Sequence, residues 1–144
     1  VAEYLASNSS FAQAATSAST PNGYAKSFTN YHGSTQQIGY LTYRTIDSGL
    51  YDVDSCAAFC DSEKFCLGFN IYFERDPSVD PNDASCANPK PITNVKCSLY
   101  GYPVAAKTAT NEGQWRGYQN AQGEAFHVVI AGSNGKLKSH IIQH

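Results

Sequence analysis

Methionine is absent from the 144 residues, and tryptophan occurs once. The chain opens on Val1, so the expectation is a processed product whose secretory leader has been removed. Charge is sparse: Asp, Glu, Lys and Arg make up 15%, too little for a coiled coil or a highly charged disordered chain. Basic residues are not in excess. Ten Lys and Arg stand against twelve Asp and Glu, which argues against a domain that grips nucleic acid by neutralising phosphates. No run of eighteen apolar residues occurs, so no membrane-spanning helix is expected. There is no Cys-x2-Cys pair and no Gly-x-Ser-x-Gly nucleophile elbow. What is present is 42% apolar and 12% aromatic. That suits one domain, or one domain and a tail, burying roughly two-thirds of its extended surface.

Five cysteines fall in one stretch: Cys56, Cys60, Cys66, Cys86 and Cys97. No histidine lies among them and the short paired spacing of a zinc knuckle is missing, so disulfides are favoured over zinc. Disulfides imply an oxidising compartment. Asn8-Ser9-Ser10 is an N-glycosylation acceptor and points the same way. Five is odd, so one thiol is left free or pairs outside the chain.

Residues 1–25 are rich in Ala, Ser and Thr and read as a helical arm or linker, stopped by Thr20-Pro21-Asn22-Gly23. Gly39 to Ile46 is β-branched and aromatic, as a strand should be. Asp52 is a plausible N-cap for a helix from Val53 to about Lys64, with Asp54 at its positive end and Cys56 and Cys60 on one face. Cys66 to Phe73 alternates: Leu67, Phe69, Ile71 and Phe73 share one side, Gly68, Asn70 and Tyr72 the other. Glu74-Arg75-Asp76-Pro77 is expected to close that strand and open a long loop to Pro91. Val95–Tyr100 and Ala125–Ala131 read as further strands, Gly113–Tyr118 is ambiguous, and Gly132-Ser133-Asn134-Gly135 reads as a turn. Residues 136–144 show no period and read as a flexible tail or an appended remnant, which leaves 26–135 as the domain.

Asp54 to Cys60, then Phe65 to Asn70, then Lys96 to Leu99 resemble the core of the PAN/apple domain. The resemblance implies an α+β fold, with one helix pinned by two disulfides to a twisted antiparallel sheet of about five strands. It implies the bonds Cys56–Cys97 and Cys60–Cys66, and it leaves Cys86 without a partner. Cys60–Cys66 closes a short loop and fixes the helix end. Cys56–Cys97 closes about 40 residues, worth roughly 3–4 kcal/mol in the chain-entropy model. A narrower likeness runs over residues 22–135. FNIYFERDP (69–77), KCSLYG (96–101), ATNEGQWR (109–116) and HVVIAGSNG (127–135) are similar to a group of secreted fungal proteins with PAN-like domains, mostly of undefined function. PAN/apple domains are binding modules for proteins or carbohydrates, so the resemblance implies recognition, not catalysis.

Catalytic and metal chemistry is thin. His140 and His144 lie in the tail, His32 stands alone, and His127 is expected to be solvated or packed on its strand. Glu74 and Asp76 point the same way on an extended chain. Their expected exposure, with Arg75 between them, favours ion pairing over the raised pKa a glycosidase acid needs. Asp76, Asp80 and Asp83 lack the spacing of a calcium loop and read as a solvated acidic loop. No cofactor is expected.

Ten Tyr, seven Phe and one Trp leave a recognition surface as the main expectation. Asn70, Tyr72, Arg75, Asp76, Tyr100, Trp115 and Arg116 would supply an aromatic platform and planar polar groups, if the Cys97-x-Leu99 strand pairs beside the Cys66 strand. The plainer reading is that Tyr72 and Trp115 merely cover the sheet. The expected function is non-catalytic recognition outside the cell, at the wall or beyond it, with a glycan as first partner. An extracellular protein is second and a small secreted hydrolase third. A spare loop thiol at Cys86 offers a route to a disulfide-linked dimer.

Overall fold

The structure, a computed structural model, describes residues 9–140. The glycosylation acceptor Asn8 lies outside them. Among the described residues the fold is α+β: two α-helices, a six-stranded antiparallel sheet and a separate two-stranded one. The helices are α1 (Ser9–Ser17) and α2 (Val53–Ser62). The strands are β1 (Tyr24–Tyr31), β2 (Ser34–Thr35), β3 (Tyr40–Thr45), β4 (Gly68–Pro77), β5 (Pro91–Tyr100), β6 (Ala109–Asn111), β7 (Gly113–Arg116) and β8 (Phe126–Lys138). The large sheet runs β1-β8-β4-β5-β3, with β7 also on β8, and β2 pairs with β6. Among the described residues no helix is long and apolar enough to cross a membrane.

Helix α2 starts where its cap requires. Asp52 Oδ1 accepts from Ser55 N–H at 3.0 Å, and Asp54 sits in the first turn. Its inner face carries Val53, Cys56, Ala57, Phe59 and Cys60. These pack on Phe69, Ile71 and Phe73 of β4 and Val95, Cys97 and Leu99 of β5, the odd-numbered face of both strands. Cys56 is bonded to Cys97 and Cys60 to Cys66, the pairing that the resemblance implies. Cys86 is an unpaired, half-buried thiol in the 3-10 turn Ala84–Cys86.

Four expectations need correction. The N-terminal segment is no loose arm from residue 9 onward. Phe11 stacks on Phe73 at 4.4 Å and Ala15 is buried, so α1 completes the core, and Tyr24 and Ala25 already belong to β1. The loop expected from Asp76 to Pro91 is shorter, because β4 and β5 stay paired from Gly68↔Tyr100 out to Pro77↔Pro91. Gly132-Ser133-Asn134-Gly135 is not a turn but the middle of β8. Finally, Lys136 to Lys138 are not tail: they pair with β1, and Lys136 is fully buried with Nζ 3.3 Å from Thr20 Oγ1. Residues 141–144 lie outside the described ones.

The misread turn is a bulge. Ile71 faces Asn134 but Phe73 faces Ala131, so β8 spends one residue more than β4 there. Gly132, at φ +54°, makes the kink, and a Cβ on it would strike the Phe73 ring and Phe11 O at 2.9 Å. Tyr51 fills the gap, donating its hydroxyl to Gly132 O at 2.7 Å. Asn134 donates from Nδ2 to Ala15 O and accepts at Oδ1 from Asn30 N–H, both at 2.9 Å, which ties β8 to α1 and β1.

Candidate functional site

The even-numbered face of β4 and β5 is polar, and the small sheet lies over part of it. Asn70 sits fully buried at that seam. Its Oδ1 accepts from Thr35 N–H, and its Nδ2 donates to Ser133 Oγ and Asn134 O, each at 2.9 Å. An amide so engaged, and fully buried, holds β2 in place and is not exposed to a ligand. Tyr100 does the same work from β5, donating its hydroxyl to Thr35 O at 2.8 Å. Burial pushes the Tyr100 phenol well above its usual pKa.

Beyond this seam opens a cleft of about 310 Å³ between the small sheet and the polar face. Tyr72 and Tyr100 form part of its floor, Tyr40 and Tyr43 of β3 its outer wall, and Lys96 and Ser98 alternate on β5 between them. Tyr72 lies directly across from Lys96, and its hydroxyl is 3.4 Å from Ser98 Oγ. Burial raises the Tyr72 phenol to about 12 despite that contact.

Lys96 leads to a carboxylate pair. Its Nζ lies 2.5 Å from Glu74 Oε1 and 3.7 Å from Asp76 Oδ2, and Asn94 Nδ2 donates to Asp76 Oδ2 at 2.7 Å. This corrects the exposure expected of both acids: Glu74 and Asp76 are buried, and their cation is Lys96, not Arg75. Burial, and the hydrogen bond that protonated Glu74 donates to Asp76, push Glu74 up to about 7, against the pull of Lys96. Burial alone would lower Lys96, but its hydrogen bond to Glu74 and the charges of Glu74 and Asp76 outweigh it and raise the ammonium.

Arg75 and Trp115 meet elsewhere. Arg75 has odd parity and leaves the Glu74–Asp76 side. Its Nη1 donates to His127 O at 2.8 Å, and its guanidinium lies 4.6 Å over the Phe126 ring. Strand β7 pairs with β8, not β5, and sets Trp115 opposite His127. The two rings stack at 4.1 Å and 14°. Trp115 is 64% exposed, with His127 stacked behind its indole. Trp115, His127, Arg75, Asn88, Gln119 and Glu124 line a cavity of about 500 Å³. Burial, with the nearby Arg75 charge contributing, lowers the His127 pKa. Its Nδ1 is buried without a hydrogen-bond partner.

The seven candidates therefore do not converge. Tyr72 and Tyr100 share the cleft, Arg75 and Trp115 share the second cavity, and Asp76 stands beside Lys96. Asn70 is structural, and Arg116 is exposed and lines neither cavity. Sequence reasoning missed Lys96, Ser98, Tyr40 and Tyr43 in the first cavity and Asn88, Gln119 and Glu124 in the second. Lys96 and Ser98 carried a signal, since they alternate with the core residues Val95, Cys97 and Leu99.

Asp80 and Asp83 are taken up in local turns with Asn82 N–H and Ser85. Among the described residues no group of three His, Cys, Asp or Glu side chains is placed to hold a metal ion. Comparison with protein-family models, with curated proteins and with solved structures finds no match to the chain.

Proposed function

We propose that this chain is a non-catalytic recognition module of PAN/apple-like build, working outside the cell, and that it binds carbohydrate at the Trp115 platform. One observation carries the reading: an indole left 64% exposed on one side and backed by His127 on the other, at the rim of a cavity with planar polar side chains. A sugar ring needs an apolar face to lie on and fixed donors and acceptors at its edge. Arg75, already held by His127 O and Phe126, is such a fixed donor, and Asn88, Gln119 and Glu124 supply the rest. The cavity falls within the range of about 300–1,000 Å³ common for small-ligand sites. Two disulfides suit a secreted protein. The PAN/apple part of the reading is supported by the stapling of α2 to β5 and to Cys66, just ahead of β4.

The test is a glycan array probed with the oxidised chain and with Trp115→Ala. A saturable signal that the variant loses while keeping its circular dichroism spectrum is the expected outcome. A blank array with well-folded protein would overturn the reading.

A protein partner is the second reading, and a specific patch favours it. Ile38 and Phe65 are each 70% exposed, and Leu41 and Tyr102 sit with them around Gly39 and Gly101 at the open end of β3. Large exposed apolar groups gathered at one end suit a protein contact. Cys86 belongs to this reading as the link of a covalent dimer, visible as a doubled mass on a non-reducing gel. Hydrolysis stays third. Glu74 has the raised pKa of a general acid, but its carboxyl is committed to Lys96.

A further inference from the structure

The tyrosine-lined cleft shares no residue with the Trp115 cavity, and nothing in the fold requires it to be open. Asn70 and Tyr100 already hold the small sheet down through the backbone of Thr35. The side chain of Thr35 is left over. Thr35 lines the cleft and is buried, yet its Oγ1 has no hydrogen-bond partner. A buried hydroxyl without a partner costs stability, and a site that uses it gives a reason for the cost. On the opposite wall Tyr43 is 52% exposed on the edge strand β3, its ring lining the cleft with Lys96 Nζ 5.4 Å from its centre.

We propose that this cleft is a second ligand site, separate from Trp115, and that it takes a neutral sugar unit. This rests on the carbohydrate reading above. Charge decides the class of ligand. Lys96 is the cation at the cleft wall, and it is matched by Glu74 at 2.5 Å and Asp76 at 3.7 Å. No positive charge is left over for a phosphate or a uronic acid, and an anion would meet two carboxylates behind the lysine. An uncharged polyol meets no such penalty. The phenol rings of Tyr40 and Tyr43 give its apolar face a wall, while Ser98 and the Thr35 hydroxyl give its hydroxyls partners. At about 310 Å³ the cleft stands near the lower limit for small-ligand sites, which suits a short stretch of a chain and not a long one. One molecule would then grip a glycan, or two glycans, at two places.

The experiment is a titration of the isotope-labelled, oxidised chain with neutral hexasaccharides of glucose, mannose and N-acetylglucosamine, followed by amide correlation spectra. The amides of Thr35, Tyr43, Lys96 and Ser98 report on the cleft, and the Trp115 indole N–H reports on the other cavity. We expect saturable shifts of the cleft amides that persist in Trp115→Ala. Tyr43→Ala should weaken them about tenfold, and Thr35→Val about three- to tenfold, with the Trp115 indole shift unchanged in both. Thr35→Val should also melt no lower than the parent, because it removes only an unpaired hydroxyl. Shifts confined to Trp115 would overturn the cleft site and leave the carbohydrate reading standing. Cleft shifts that vanish in Trp115→Ala would mean one extended site and overturn the separation. No shift at either place would overturn both readings. A hexasaccharide of galacturonic acid that bound the cleft as well as the neutral ones would overturn the assignment of ligand class.

Discussion

Glu74 shows how much one side chain owes to its surroundings. In the unfolded chain it titrates near 4.5, and in the fold burial and Asp76 raise it to about 7. Between those values the folded state holds more protons than the unfolded one, so rising pH favours unfolding. The stability that protonated Glu74 contributes is fully present below about 4.5 and is lost as the pH climbs through about 7. Glu74→Gln keeps the shape and removes the titration. We expect the variant to gain about 1–3 kcal/mol on the parent between about pH 5 and pH 8, measured by urea unfolding at both. Equal pH profiles for the two proteins would contradict the assignment. The burial of Glu74 was hidden in the sequence by an early stop: Glu74-Arg75-Asp76-Pro77 looks like a strand end, although the alternation Tyr72, Glu74, Asp76 runs on through it. That same alternation places Arg75 on the other side, so the scatter of the candidate site was legible to a reader who extended β4 to Pro77. The pairing of β7 with β8, which carries Trp115 away from Tyr72, was not legible, because it is a contact between segments with no shared local signal.

At the scale of elements, local rules succeeded where a segment's partners are its neighbours. Asp52 caps α2, and β5 presents Val95, Cys97 and Leu99 to the core as a period of two demands. Such rules failed on β8. Gly, Ser and Asn are turn formers because their side chains or backbone satisfy local bonds. Here Ser133 and Asn134 bond to Asn70, Asn30 and Ala15, and Gly135 leaves room for the Phe28 ring. Asn134 is the keystone of that arrangement. Asn134→Ala would strand Asn30 N–H and Ala15 O, and we expect a loss of about 2–4 kcal/mol in urea unfolding. Hydrogen exchange should show α1 losing protection before β4 and β5, since its tie to β8 is the one removed.

The whole molecule hangs on one long-range bond. Cys56–Cys97 joins positions 41 apart and fixes α2 to the centre of β5. Its removal in Cys56→Ala frees the unfolded chain by about 3–4 kcal/mol in the chain-entropy model, comparable with the net stability of a small domain. The expected outcome is a chain unfolded or melting far lower. A variant melting within a degree or two of the parent would show that the staple contributes little. The α+β class, the helix and the sheet beneath it were legible at this scale, because cysteine spacing and alternation both survive without knowledge of partners. The size of the sheet was not, since β1, which reads YAKSFTNY, shows its strand character only against β8.

The place of β8 has a consequence in time. Among the described strands it comes latest in chain order, yet it lies inside the sheet, between β1 and β4. As the chain emerges in sequence, β1 has no edge to join, and β4 has only one of its two strand neighbours. Assembly must wait for β8 to thread between β4 and β1, the second of which is separated from it by most of the chain. Such distant contacts make folding slow and leave sticky surfaces open meanwhile. A chain that lost the end of β8 would therefore forfeit its centre, not its margin.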